Sequence, residues 1–131
     1  SGVGFESGGL AAAHSIHNAL TGLPQTHGLL HGEKVAFGIL VQLVLDEDAE
    51  ADEAGTADEF GDALEYLRSV GLPTTLADLG LPRDEPALRP LAVAAVAPGE
   101  TIHNMSIPID ERVVLRAVLE ADRRASAGER S

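Results

Sequence analysis

The residues of this sequence best suited to chemistry are its five histidines, His14, His17, His27, His31 and His103. Four of them fall within one predicted helix-loop-helix unit. His14 and His17 stand three apart, which puts both rings on neighbouring positions of one helix face. His31 lies where a second helix should begin, after a loop that reverses the chain, so an imidazole from each helix can converge on one ion. Zinc takes nitrogen ligands at about 2.0 to 2.1 Å, and two imidazoles with a carboxylate leave an open position for substrate. The spacing permits that geometry without demanding it. The same residues also suit ordinary hydrogen bonding at helix ends, and the pattern is looser than an HExxH signature. Glu33, close to His31, points elsewhere and adds little.

Two other stretches invite chemical readings. Gly2-Val3-Gly4-Phe5-Glu6-Ser7-Gly8-Gly9 looks like a phosphate loop, but it has neither GxGxxG nor P-loop spacing and no strand leads into it. Ser7 is flanked by Phe5-Glu6 and Gly8-Gly9, not by the GxSxG elbow of a nucleophilic serine, so capping a helix is its better role.

Helices must position these groups. Leu10, Ala13, Ile16, His17 and Leu20 recur at steps of three and four, which predicts a first helix capped by Ser7 and ended by Gly22 and Pro24. A second begins near His31 or Gly32 and runs through Val35, Ala36, Ile39, Leu40, Leu43 and Val44. It is apolar on most sides, which predicts a central, buried position. A third starts around Thr56, buries Phe60, Leu64, Leu67 and Val70, and stops at Gly71. Leu76-Ala77-Asp78-Leu79 reads as one short turn of helix closed by Gly80. Pro86 and Pro90 interrupt the segment after Gly80, since proline inside a helix loses a hydrogen bond and clashes with the preceding turn, so the next helix is expected over residues 91–97. The last helix starts after Asp110, turns Val113, Val114, Ala117, Val118 and Ala121 inward, and frays from Ser126. No strand-like alternation and no internal repeat occur. The expected fold class is all-α.

At 131 residues with 44% apolar side chains, the chain suits one domain with a real core. Aromatic residues make up 3%, so that core must be built mainly from Ala, Val, Leu and Ile. The formal net charge of −12, with acidic residues crowded between Asp46 and Glu59, argues against nucleic acid as a partner. That acidic run reads as a solvated loop and its flanking helix ends. Cysteine is absent, so any metal site must use His and carboxylates. No stretch reaches the roughly 18 apolar residues of a membrane span and no signal-like segment is present, which leads to the expectation of a soluble, cytoplasmic protein without a membrane partner. The sequence opens at Ser1 and its single methionine is Met105, so further sequence is expected upstream.

The run Gly2-Val3-Gly4-Phe5-Glu6-Ser7-Gly8-Gly9-Leu10-Ala11-Ala12-Ala13-His14, then Ile16-His17-Asn18, then His31-Gly32-Glu33-Lys34-Val35-Ala36-Phe37-Gly38, closely resembles the glycerol dehydrogenases of the iron-containing alcohol dehydrogenase superfamily. Gly99-Glu100-Thr101-Ile102-His103-Asn104-Met105 repeats the likeness further on. The resemblance implies that residues 1–131 are part of the C-terminal, helical, metal-binding domain of a dehydroquinate-synthase-like fold. An N-terminal α/β domain that binds NAD would lie outside the chain. It further implies two histidine ligands and one aspartate ligand for a catalytic zinc, with iron as the alternative metal. By motif the histidines fall on His14 and His31, and the aspartate belongs upstream.

The parent enzyme would oxidise glycerol to dihydroxyacetone, as a homo-oligomer, and the chain alone would be inactive. Phe5 matches a position that lines the glycerol pocket, with packing as its other reading, and His17 reads as a pocket residue or a support for the metal-bound rings. His103 and His27 receive no role. Relatives often carry His-Tyr-Tyr where this chain has His27-Gly28-Leu29-Leu30, which leaves open a related diol or alcohol as substrate. A helical metal-binding or interaction module without catalysis is the reading from outside enzymology.

Overall fold

A computed structural model describes residues 11–26, 28–49, 59–104 and 108–129. Five α-helices follow one another, α1 (Ala11–Thr21), α2 (His31–Ala49), α3 (Glu59–Ser69), α4 (Glu85–Ala95) and α5 (Glu111–Glu129), with 3-10 turns at Pro24–Thr26 and Thr101–Asn104. Among the described residues there is no strand, as the sequence predicts. None of their helices is long and apolar enough to cross a membrane.

α2 is the centre of the bundle and packs against α1, α3 and α5. The reason is legible in its composition. Ala36, Phe37, Leu40, Val41, Leu43, Val44 and Leu45 are all buried, so the helix has apolar side chains to offer neighbours on several sides. Ala12, Ile16, Ala19 and Leu20 of α1 meet it from one side. Val114, Ala117, Val118, Ala121 and Ala125 of α5 complete the core from another, with small residues allowing close helix packing where aromatics are scarce.

α3 buries Phe60, Leu64 and Leu67 as expected. Val70 departs from that stripe and is half exposed, because the helix has already ended at Ser69. Its end is a Schellman closure: the Leu72 N–H donates to the Leu67 carbonyl at 2.9 Å and the Gly71 N–H to that of Arg68 at 3.0 Å, with Gly71 at φ +79°. Gly80 repeats the arrangement at the same φ, closing a single helical turn in which Leu79 N–H reaches the Thr75 carbonyl. That turn is tied at its start, where the Thr75 hydroxyl accepts from the Asp78 N–H at 3.1 Å and the Asp78 carboxylate accepts from the Thr74 N–H at 3.1 Å.

The expectation for residues 91–97 is corrected. α4 begins at Glu85, with Pro86 in its first turn and Pro90 inside the helix. Pro86 suits a first turn, where its missing N–H has no intrahelical acceptor. Pro90 leaves the Pro86 carbonyl without its usual donor, but both prolines lie on the exposed face where water can substitute. Leu88, Leu91, Ala92 and Ala95 on the opposite face are buried, and that burial holds the helix through the proline.

α5 starts as predicted, with the Asp110 carboxylate accepting from the Val113 N–H at 2.9 Å. It does not fray at Ser126. The helix continues to Glu129, since Ala125 is buried and the Arg68 guanidinium of α3 donates to its carbonyl. Phe60 of α3 lies under the Arg124 guanidinium, 5.3 Å from ring centroid to charge.

Candidate functional site

α1 carries His14 and His17, and its position is set by three contacts from distant parts of the sequence. The first is a cap from α2. A helix leaves its first N–H groups without intrahelical partners, and here the buried Gln42 side-chain oxygen accepts from Ala12 N–H at 2.8 Å and from Ala13 N–H at 3.2 Å. Gln42 is itself held, since its amide nitrogen donates to Asp46 at 2.9 Å. Ser7, expected as the cap, lies outside the described residues.

The second contact is the crossing of the two helices. A Cβ placed on Gly38 would stand 2.8 Å from the Ala13 carbonyl oxygen and 3.3 Å from the Ala13 Cα. Only a residue without a side chain lets α1 approach so closely. A Gly38→Ala variant is therefore expected to lose stability although alanine is the better helix former. The overpacking costs about 1–3 kcal/mol against a propensity gain of up to about 1 kcal/mol, for a net loss near 1 kcal/mol. A urea midpoint lowered at unchanged m-value would show it.

The third contact explains why the motif from Gly99 onward matters to α1. Ile102 is fully buried, and its N–H donates to the Ser15 hydroxyl at 3.0 Å, one residue from His14. A ring nitrogen of His103 hydrogen-bonds the Val96 carbonyl at 2.9 Å, fastening the Thr101–Asn104 turn to the end of α4. His103, without a role from sequence, thus has a structural one.

His14 is exposed, and its ring makes no hydrogen bond or ion pair among the described residues. That separates it from His103 and from the reading of these histidines as satisfied helix-end groups. His17 is partly buried one turn on, where its carbonyl accepts from the Thr21 hydroxyl at 3.0 Å. His31 is the first residue of α2. It lies about two turns before Gly38, on the order of 10 Å along the axis from the crossing beside His14. The side chain of His31, like Phe5 and His27, lies outside the described residues. The Glu33 carboxylate accepts from the Leu30 N–H at 2.8 Å, capping the start of α2. Among the described residues, no three His, Asp or Glu side chains are grouped closely enough to hold a metal ion. A metal ion held at His14 would therefore need its other ligands from outside the described side chains.

Sequence reasoning misses Gln42, Gly38 and Ser15. Each carries a signal: an amide within an otherwise apolar stretch, a glycine in mid-helix, and a hydroxyl between two histidines.

No protein-family model matches the chain. It is 54% identical over 123 residues to a glycerol dehydrogenase of Escherichia coli and 50% identical over 123 residues to one of Pseudomonas putida, in each case over 93% of this chain and 32% of the relative. The fold matches the crystal structure of a probable glycerol dehydrogenase from Sinorhizobium meliloti with a TM-score of 0.79 at 40% identity, over 91% of this chain and 32% of that one. The bundle thus matches a helical domain of glycerol dehydrogenase-type structures. The chain is homologous over nearly its whole length to the glycerol dehydrogenases, and it spans about a third of the length of the curated relatives it matches.

Proposed function

We propose that the chain is the metal-holding helical part of an NAD-dependent glycerol dehydrogenase, contributing His14 and His31 as two ligands of a zinc or, alternatively, an iron ion. The nucleotide-binding domain and a carboxylate ligand belong to the portion of such enzymes that this chain does not span. The observation that carries this reading is the state of His14. Its ring is exposed and without a partner among the described residues, yet its helix is locked from three directions through Gln42, Gly38 and Ser15. A merely solvated histidine requires no such fixing, whereas a ligand does, because metal sites tolerate little positional error.

When bound, the ion supplies Lewis acidity that eases loss of a glycerol hydroxyl proton while hydride passes from the adjoining carbon to the nicotinamide, giving dihydroxyacetone. The chain's own part is to present His14 from α1 and His31 from the start of α2. His17, a turn from His14, supports the rings or lines the pocket, and Phe5 contributes to the same pocket. The Glu33 bond to Leu30 N–H fixes the first turn of α2, on which His31 sits.

The 131-residue chain alone should show no NAD-dependent glycerol oxidation, while the protein with its upstream sequence restored should turn glycerol over. Turnover by the chain alone, or a full-length protein inert towards glycerol, contradicts the proposal. A second substrate, another short diol or alcohol, is favoured by Leu29-Leu30 before His31, where Leu30 is 72% exposed. Substrate profiling of the full-length protein separates the two.

A further inference from the structure

Five of the chain's nine basic residues, Arg83, Arg89, Arg112, Arg116 and Arg123, line one groove of about 560 Å³ between α4 and α5. This concentration occurs in a chain whose net charge is −12. It arises from helical spacing, since positions 112, 116 and 123 share the outer face of α5 with Leu115 and Leu119, while the inner face fills the core. The groove lies on other elements than His14 and His31.

Two carboxylates also line the groove, Glu85 and Glu120. Glu120 is already taken, held by Arg123 at 2.6 and 3.0 Å and by Arg124 at 2.7 Å. The hydrogen bonds from Arg123 above all bring its carboxyl down to about 2. Arg83 is occupied by Asp122 at 3.1 Å. Arg89 and Arg112 are exposed and make no ion pair or hydrogen bond among the described residues. Guanidinium forks at such positions match the oxygens of phosphate two at a time.

We propose that this groove binds a small molecule carrying two or more phosphate groups. The volume falls within the range of about 300–1,000 Å³ typical of small-molecule sites. An extended polyanion such as nucleic acid would meet the acidic remainder of the chain and be repelled. A compact oligophosphate can set its charge against Arg89 and Arg112, in a groove where five arginines outnumber two carboxylates. Sugar bisphosphates and nucleoside triphosphates share this chemistry.

The test is a calorimetric titration of the chain with sodium tripolyphosphate at low ionic strength, where screening is least. Saturable one-site binding is expected, with a rise in melting temperature because the ligand favours the folded state. An Arg89→Gln, Arg112→Gln double variant should bind roughly tenfold or more weakly while its ligand-free melt stays close to that of the parent, since neither side chain makes a hydrogen bond or ion pair among the described residues. The double lysine variant keeps the charge without the fork and should lose part of the affinity. Displacement by a hexose bisphosphate or by a nucleoside triphosphate supports the proposal and says which of them carries the phosphates. Absence of saturable binding, equal affinity in the glutamine variant, displacement by neither, or tighter binding of polyglutamate than of tripolyphosphate overturns it.

Discussion

A Gln42→Leu variant is expected to lose about 2–5 kcal/mol of stability, although leucine matches the apolar character of the surrounding α2 residues. The replacement strips Ala12 and Ala13 N–H of their shared acceptor where both bonds are buried. Each orphaned buried donor costs about 1–3 kcal/mol. Asp46 loses the amide that donates to it as well. Packing does not recover the loss, because the helix start has no other acceptor among the described residues. Gln42→Glu is the informative companion. It keeps an acceptor and places negative charge at a helix N-terminus, which is favourable, but sets that charge against Asp46. Its loss should be well below that of leucine. Denaturant midpoints at constant m-value measure both, and equal losses would mean that volume rather than the cap decides.

Asp122→Ala is expected to cost about 2–3 kcal/mol. Asp122 is 5% exposed, and one carboxylate oxygen accepts from the Leu76 N–H at 2.8 Å while the other meets Arg83 at 3.1 Å. The two contacts do not weigh equally. The Arg83 side chain is 51% exposed, so the ion pair is screened and contributes no more than about 1 kcal/mol. The larger part comes from Leu76, whose side chain is buried and whose N–H would be left unsatisfied in the loop pinned against α5. Asp122→Asn keeps an acceptor for Leu76 and gives up only the charge, so it should lose about 1 kcal/mol or less. An asparagine variant as damaged as the alanine variant would show that the ion pair dominates.

The helices are legible wherever apolar periodicity alone specifies them. The end of α1 and the starts of α2 and α5 fall within a residue or so of their expected positions, whereas α2 continues to Ala49, past the expected Val44. α4 begins earlier than its prolines suggest, because the stripe of Leu88, Leu91, Ala92 and Ala95 overrides Pro86 and Pro90 as breaks, and that stripe is present in the sequence. Val70 matches a helical step but lies past the end that Gly71 imposes. The extension of α5 depends on Arg68, 57 residues away from Ala125, which no local pattern announces. The same holds at the site. His14 is legible as a chemical group, whereas the cap from Gln42 at a separation of 30 residues and the bond from Ile102 to Ser15 at 87 exist only once the chain has folded. Resemblance, rather than spacing, singles out His14 and His31 from the five histidines.

Metal content of the full-length protein, with its upstream sequence restored, tests the central claim most directly. Metal analysis should find the ion in the parent and in His103→Ala, whose ring bonds the Val96 carbonyl, and should find it lost, together with glycerol oxidation, in His14→Ala and His31→Ala. Metal retained at the parental level in His14→Ala would contradict the assignment of α1 and α2 as the source of its ligands.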